Sequence, residues 1–180
     1  MGASGGRPAS GQGLGLIVRD RDDPVFGWRY WQLSSRRLLR SVTQREFEWP
    51  PGRVLRALCV EVGHPAPAEG CNCGLYANPD LEALRQHGLC LAPEAIVLGQ
   101  VALWGKVVDD EASYRAEFAY PARLSLVVDS LIDDISPETL LEELSAYRVP
   151  VQAITLDEAV AGMSADMLRF QAMSRRTSGR

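Results

Sequence analysis

Lysine, histidine and long apolar runs are scarce in this 180-residue chain. Lys106 is the only lysine, so arginine supplies eighteen of the nineteen basic side chains, and there are two histidines. No apolar run approaches the roughly 18 residues that a membrane-spanning helix needs, so we expect no membrane association. The apolar stretch 14–18 is too short for a secretion signal, and no small-residue cleavage site follows it. The sequence therefore predicts a cytoplasmic protein.

Several catalytic signatures are also missing. The chain has no Gly-x-Ser-x-Gly motif, which marks many serine hydrolases. The glycine-rich segment 11–15 precedes an apolar stretch and does not join a strand to a helix, so it is not typical of a phosphate-binding loop. Pro65 and Ala66 follow His64, which excludes the His-x-Glu motif of the zinc deaminases. These absences favour a protein that is not an enzyme.

The composition fits one folded domain with an ordinary core. Hydrophobic residues make up 46% of the chain and charged residues 23%, which is too apolar for general disorder. Residues 1–13 are mostly small and polar, and we predict a disordered tail there. A single globular domain is predicted over 14–173, and a frayed tail over 174–180.

The charge is divided unevenly along the chain. Residues 1–56 carry a net charge of +5 and residues 57–180 a net charge of −9, within a total of −4. A basic, arginine-rich end predicts contact with an anionic partner such as a nucleic acid. Aromatic residues alternate with arginine around Trp28 to Trp31, as in proteins that stack single-stranded bases. The alternative is that the aromatic side chains face the core and the arginines face solvent, which the overall acidity favours.

Alternating apolar residues predict an α+β fold that is rich in antiparallel strands. The strongest signals are two apolar runs, 95–109 and 113–129, which a polar connection joins into a hairpin. Gly99 and Gly105 interrupt the first run and are typical of bulges or of close backbone approach. Pro121 is expected to end one strand before another apolar stretch begins. Further strands are predicted over 27–33, 37–43, 54–62 and 149–155.

Three segments carry helix start signals. They are Asn78-Pro79-Asp80, Ser136-Pro137, and Thr155 with Glu158. The first helix is predicted to be capped by Asn78 and to end near His87. We expect a twisted antiparallel sheet or partial barrel, with the helices packed on one side and a loop stapled by zinc.

Cysteine and histidine cluster between residues 59 and 73. This segment holds three of the four cysteines and one of the two histidines. Structural zinc is bound by four such ligands, so Cys59, His64, Cys71 and Cys73 are predicted to bind Zn²⁺. Their spacings differ from the usual Cys-x2–4-Cys, and two alternatives stay open. The thiols behave as small buried apolar groups, as we expect of Cys90, or Cys71 and Cys73 form a redox pair.

A longer series of short motifs runs from residue 27 to residue 121. In order, the motifs are Gly27-Trp28-Arg29-Tyr30-Trp31, Trp49-Pro50-Pro51-Gly52, Cys59, His64-Pro65-Ala66-Pro67, Cys71-Asn72-Cys73-Gly74-Leu75-Tyr76-Ala77, Val101-Ala102-Leu103-Trp104-Gly105 and Tyr114-Arg115-Ala116-Glu117. The series resembles a family of small, uncharacterised bacterial proteins. The resemblance includes the Cys…His…Cys-x-Cys-Gly order, which supports the metal interpretation, and it implies no activity.

The sequence as a whole predicts a non-enzymatic interaction or regulatory module with a protein partner and a structural zinc site. One alternative is a thiol-based redox protein that uses Cys71 and Cys73. The other is an accessory nucleic-acid-binding protein that uses the arginine-rich residues 1–56.

Overall fold

The computed structural model describes residues 17–86, 95–110, 113–131 and 135–160, and the strands within these ranges form one sheet. The strands are β1 (Ile17–Leu33), β2 (Leu39–Arg40), β3 (Glu48–Trp49), β4 (Leu55–Arg56), β5 (Leu75–Ala77), β6 (Ile96–Asp109), β7 (Tyr114–Val127) and β8 (Val151–Ile154). The helices are α1 (Leu81–Gln86), α2 (Pro137–Ser145) and α3 (Leu156–Val160), with a 3-10 turn at Val128–Ser130. Both predicted tails, and the ends of the predicted domain, lie outside the described residues.

Strands β1, β6 and β7 form the centre of the sheet. β6 pairs with β1 on one side and with β7 on the other, both antiparallel, so the predicted long hairpin is confirmed. Three short strands follow one another along the outer edge of β7: β5 near its start, β4 in the middle and β8 near its end. β2 lies within the strand predicted over 37–43 and pairs back onto the end of β1, and β3 pairs with β2.

The sheet is mixed and open, not wholly antiparallel. β8 pairs with β7 in parallel, because α2 carries the chain back before β8 begins. One isolated bridge, between Trp28 and Asn78, links the end of β5 to β1 and shows that the sheet curls. This pairing gives no support to a closed barrel. None of the described helices has the length and apolar content that crossing a bilayer requires.

The helices lie on both faces of the sheet. Leu144 of α2 packs in a core cluster with Val97, whereas Leu84 of α1 and Ala159 of α3 pack in a second cluster with Ile96. Successive residues of a strand point to opposite faces, so Ile96 and Val97 assign the two clusters to opposite sides. The prediction that the helices pack on one side is wrong. The sequence shows the apolar stripe of each helix. It does not show which face of the sheet that stripe covers.

The two glycines of β6 have the roles that their positions predicted. Gly105 has a φ of +71° and lies where the register with β7 shifts, between Trp104 and Val107. At Gly99, a Cβ atom would lie 2.0 Å from the carbonyl oxygen of Arg123 on the neighbouring strand. Gly105 therefore permits a bulge, and Gly99 permits close backbone approach.

β7 continues through the break that the sequence predicts at Pro121. Pro121 was expected to end the strand, but pairing continues to Val127. Pro121 lies at a shift in register against β6, and in the interval between β4 and β8 on the outer edge. Proline is tolerated at bulges and edges because its missing N–H interrupts no ladder there.

Two local predictions next to the cysteine segment are wrong. The strand predicted over 54–62 is reduced to Leu55–Arg56, and the chain then turns away from the sheet. α1 is capped by Asp80, not Asn78, since the Asp80 carboxylate accepts the N–H of Ala83 at 2.7 Å. The predicted helix end at His87 lies outside the described residues, as does Cys90.

The predicted caps of the later helices are confirmed. Ser136 accepts the N–H of Thr139 at 3.3 Å at the start of α2. Thr155 and Glu158 form the reciprocal bonds of a capping box, 2.7 Å from the N–H of Thr155 to the carboxylate and 3.2 Å from the N–H of Glu158 to the hydroxyl.

Tyr147 joins the end of α2 to β2 and β3. Its side chain is 2% exposed, and its hydroxyl donates to the carbonyl of Trp49 at 2.5 Å and accepts the N–H of Leu39 at 2.9 Å. Burial raises the pKa of Tyr147 to about 12, so the hydroxyl keeps the proton it donates. The ring of Trp49 meets Trp31 edge-on, with centroids 5.5 Å apart. These contacts seal one end of the larger core cluster.

Replacing Tyr147 with phenylalanine is expected to lower the free energy of unfolding by about 2–4 kcal/mol, because two buried backbone groups lose their partner. Urea unfolding measures the change. The control is Tyr76→Phe, which removes one exposed bond to the carbonyl of Asn72 and should cost less than about 1 kcal/mol. Equal losses in the two variants would contradict the sealing role of Tyr147.

Candidate metal centre

The turn after β4 brings Cys59 and His64 side by side. Leu58 and Pro65 form an isolated antiparallel bridge. Cys59 follows the first of these residues and His64 precedes the second, so the two candidate ligands face each other across a tight turn. Gly63 supplies the positive φ of +75° that the turn requires. The irregular sequence spacing between Cys59 and His64 is therefore explained by the number of residues that this turn contains.

A second turn, immediately before β5, carries Cys71 and Cys73. The N–H of Cys71 bonds to the carbonyl of Ala68 at 3.4 Å. Gly74 follows with a φ of +134°, and a Cβ atom there would lie 3.0 Å from the side chain of Arg115. β5 then pairs with β7, which fixes the end of this turn to the sheet.

The structure brings all four predicted ligands together. One donor atom from each of Cys59, His64, Cys71 and Cys73 lies within 4.8 Å of every other. The sulfurs of Cys59 and Cys71 are 3.9 Å apart, close to the roughly 3.8 Å between two sulfurs on a tetrahedral zinc ion with bonds near 2.3 Å. The widest separation is at most about 1 Å larger than that spacing. These residues lie close enough to bind a metal ion.

The three sulfurs of the cluster are thiols. Cys59, Cys71 and Cys73 are free and half-buried. The 3.9 Å contact between the sulfurs of Cys59 and Cys71 is far longer than a disulfide bond of about 2.05 Å. The cluster therefore offers three sulfur donors to a metal.

Backbone hydrogen bonds and burial shift the pKa values of two of the cysteines in opposite directions. The N–H of Val62, with help from those of Glu61 and Gly63, lowers the pKa of the Cys59 thiol to about 7. Burial raises the pKa of Cys73, and the neighbouring sulfurs add to the rise. Three thiolates this close repel one another, and a bound cation removes that repulsion.

His64 is oriented to offer one ring nitrogen. Its Nδ1 lies 3.0 Å from the carbonyl oxygen of Pro65. A carbonyl only accepts hydrogen bonds, so Nδ1 carries the proton and Nε2 is left with a free lone pair. This arrangement, in which the far nitrogen is fixed by a hydrogen bond, is usual for histidine ligands.

Arg115 holds the second turn against β7. This role at the site was not predicted from the sequence. The side chain is 6% exposed, and it donates to the carbonyls of Cys71, Cys73 at 3.3 Å and Ala68 at 3.4 Å. In the sequence, Arg115 belongs to the polar face of an alternating strand, which indicates solvent exposure. Arg115 is buried because the second turn folds over its side chain. The alternation of polar and apolar residues along the strand does not predict this contact.

Replacing Arg115 with methionine is expected to speed the release of bound metal to a competing chelator by about tenfold or more, because each lost charged hydrogen bond is worth about 1.5–3 kcal/mol. The rate is followed with a chromophoric chelator. Arg123→Met changes an exposed residue of the same strand and should leave the rate within about twofold. Equal rates in the two variants would show that Arg115 does not support the metal centre.

Several described arginines of the basic first third make contacts within the chain. Arg36 pairs with Glu48, and Arg37 pairs with a glutamate of α2. Arg29 stacks over Trp49 at 4.9 Å, so it is not the solvent-facing group that the sequence favoured. These contacts engage three of the basic groups on which the nucleic-acid alternative depends.

Comparisons with known proteins offer no parallel for this centre. No family model matches the chain, and neither a curated protein nor a solved structure matches it. Its interpretation depends on its own residues and their geometry.

Proposed function

We propose that the chain is a non-enzymatic interaction or regulatory module in which a structural zinc ion holds two turns together. The ligands are Cys59, His64, Cys71 and Cys73. The convergence of their donor atoms within 4.8 Å carries the proposal. Thiolate and imidazole are the donors that zinc prefers in structural sites, and thiolates disfavour magnesium and calcium.

A structural role fits this ligand set better than a catalytic one. Four protein ligands complete a tetrahedral shell and leave no position for water or substrate. The ion would join the turn after β4 to the turn before β5, and both strands pair with β7. The first turn has little buried apolar surface of its own, so a metal supplies rigidity that packing does not.

The charge of such a site also suits its surroundings. Three thiolates, one neutral imidazole and one Zn²⁺ sum to a single negative charge. Arg115 supports the proposal because its guanidinium already bonds to the carbonyls of Cys71 and Cys73. A nearby cation offsets the cost of placing a negative centre against the sheet.

Metal analysis of the purified full chain tests the zinc proposal. We expect about one zinc per chain, with three thiols that react with an alkylating reagent only after a chelator is added. A protein free of metal, whose thiols all react at once, would contradict the proposal.

The interaction role is supported by an apolar patch on the first turn. Leu58, Val60 and Val62 are 71%, 86% and 73% exposed. Neighbouring apolar side chains in water often mark a contact with another protein. We therefore propose that this patch, fixed in place by the zinc ion, binds an apolar surface of a protein partner.

The patch is tested with a variant that replaces all three residues by serine. It should keep its zinc and its thermal stability, since the replaced side chains are exposed. Cross-linking in cells should then lose partners that the parent protein retains. The same cross-linked species in parent and variant, at equal zinc content, would contradict the patch.

Two further proposals accompany this function. The chain belongs with the small bacterial proteins that its motif series resembles, and it works in the cytoplasm, where thiols stay reduced and available to zinc. A disulfide in the protein recovered from cells under alkylating conditions would contradict the second.

A redox role is the second candidate for the same cluster. It is supported by the 3.9 Å between the sulfurs of Cys59 and Cys71, which adds this pair to the predicted pair of Cys71 and Cys73. Hydrogen peroxide would convert the two thiols to a disulfide, with release of two waters. Reversible formation of that bond in zinc-loaded protein at low peroxide would favour the redox role, whereas resistance would favour the structural one.

A further inference from the structure

A cavity of about 760 Å³ opens beside the candidate metal centre. Its walls come from β1, the connection between β2 and β3, the turn after β4, and β5. Phe47 and Leu75 line it and pack in the larger core cluster, which also holds the two tryptophan rings beside Arg29. Trp28 and Tyr30 line it from the side of the second cluster. Cavities of roughly 300–1,000 Å³ with such walls are typical of sites for small organic ligands.

Arg29 places a positive charge in this apolar wall. Its guanidinium lies 4.9 Å from the ring centre of Trp49 and 6.0 Å from that of Trp31. One terminal nitrogen donates to the carbonyl of Tyr76 at 2.7 Å, and the other donates to the hydroxyl of Ser41 at 2.9 Å. The Nε atom is buried without a partner in the described part of the chain. A guanidinium has five N–H groups, so its terminal nitrogens retain donors beyond these two bonds.

The charge of Arg29 has no carboxylate partner among the described residues, whose ion pairs involve other arginines. Partial burial lowers the pKa of Arg29 to about 10, which reflects the cost of taking this cation partly out of water. Glu46 and Glu61 also border the cavity, but both are exposed to solvent. Stacking on tryptophan offsets part of the cost, and an anion at the edge of the guanidinium would offset the rest.

We infer that this cavity binds a small amphipathic organic anion, with a flat apolar body against Phe47 and Leu75 and one acidic group against Arg29. The planar fork of arginine suits the bidentate binding of an acidic group. This site is additional to the proposed zinc centre, which contributes one wall through Cys59 and Cys73.

The test uses two fluorescent probes that differ by one charge. The anionic probe is 8-anilinonaphthalene-1-sulfonate, and its matched neutral probe is N-phenyl-1-naphthylamine, which has the same rings without the sulfonate. Both are titrated into the full, folded chain as purified, with its metal content measured. We expect saturable binding of one anionic probe per chain. A lack of saturable binding would overturn the inference.

Arg29→Met separates charge recognition from apolar contact. The anionic probe should bind at least about tenfold more weakly, while affinity for the neutral probe stays within about twofold, because only the first loses a charged hydrogen bond. Arg53→Met is the control, since Arg53 is exposed and does not border the cavity. An equal loss for both probes, or no loss for the anionic one, would overturn the inference.

A second variant keeps the test decisive if Arg29→Met fails to fold. Thr43 is exposed and borders the cavity, so Thr43→Trp fills the space without changing a buried position. It should weaken both probes by about tenfold or more, as expected when a large ring takes their place. Unchanged binding of both probes to Thr43→Trp would show that they bind elsewhere, which would overturn the inference.

Discussion

Replacement of Cys73 by serine is expected to abolish stoichiometric zinc binding and to lower the free energy of unfolding by about 3–5 kcal/mol. For a chain of this length, that loss lowers the thermal midpoint by about 10 °C. The cause is the removal of one of four donors that lie within 4.8 Å of one another, together with the proposed zinc ion that would tie their two turns to β7. Metal analysis and thermal unfolding of the same preparation measure both effects.

Cys90→Ser is the matched control, because this cysteine is not one of the four proposed ligands. It should retain about one zinc per chain, since four other ligands complete the shell. Treating the parent protein with a strong chelator should reproduce the stability of the Cys73 variant. If Cys73→Ser kept its zinc, or if chelation left stability unchanged, the ion would not be structural.

Replacement of Gly99 by alanine is expected to lower the free energy of unfolding by about 3 kcal/mol or more, in the range of severe core overpacking. The added Cβ atom would lie 2.0 Å from the carbonyl oxygen of Arg123, and backbone cannot swing aside as a side chain does. The strands must separate locally, and the hairpin of β6 and β7 is the centre of the sheet. Urea unfolding, with its slope checked for two-state behaviour, measures the loss.

Gly52→Ala separates this clash from the ordinary cost of replacing glycine. Gly52 has a φ of +72° but no atom within 4 Å of an added Cβ. Its replacement should cost only about 1–2 kcal/mol, the penalty of the left-handed conformation. An equal cost at both positions would show that the β6–β7 hairpin adjusts without loss at Gly99.

The hairpin and the ligand set could be predicted from the sequence because both have local signatures. Alternating apolar residues and interrupting glycines marked β6 and β7, and the bulge at Gly105 agrees with that pattern. The clustering of Cys59, His64, Cys71 and Cys73 marked the centre although their spacing is irregular. The spacing became understandable once the bridge of Leu58 and Pro65 showed how the first turn closes.

The contacts of Arg29 and Arg115 could not be predicted, because distant parts of the chain make them. Arg115 bonds to a carbonyl 44 residues away, and Arg29 to one 47 residues away. Within their own strands, both occupy positions where a charged residue normally faces water. Only tertiary contacts give them carbonyl partners.

Apolar composition misled the prediction in the turn after β4. Val60 and Val62 read as part of a buried strand, yet both are exposed. The apolar side chains of this run face outward from the turn, and composition does not distinguish a buried strand from an exposed turn. The parallel pairing of β8 with β7 could not be predicted from the sequence either, because it depends on where α2 returns the chain to the sheet.

X-ray absorption at the zinc edge of the purified full chain tests the central claim most directly. We predict a first shell of three sulfurs at about 2.3 Å and one nitrogen at about 2.0–2.1 Å, as Cys59, Cys71, Cys73 and His64 require. The Cys73→Ser variant serves as the reference for a broken shell. A shell dominated by oxygen and nitrogen, or one with fewer than three sulfurs in the parent protein, would contradict the claim.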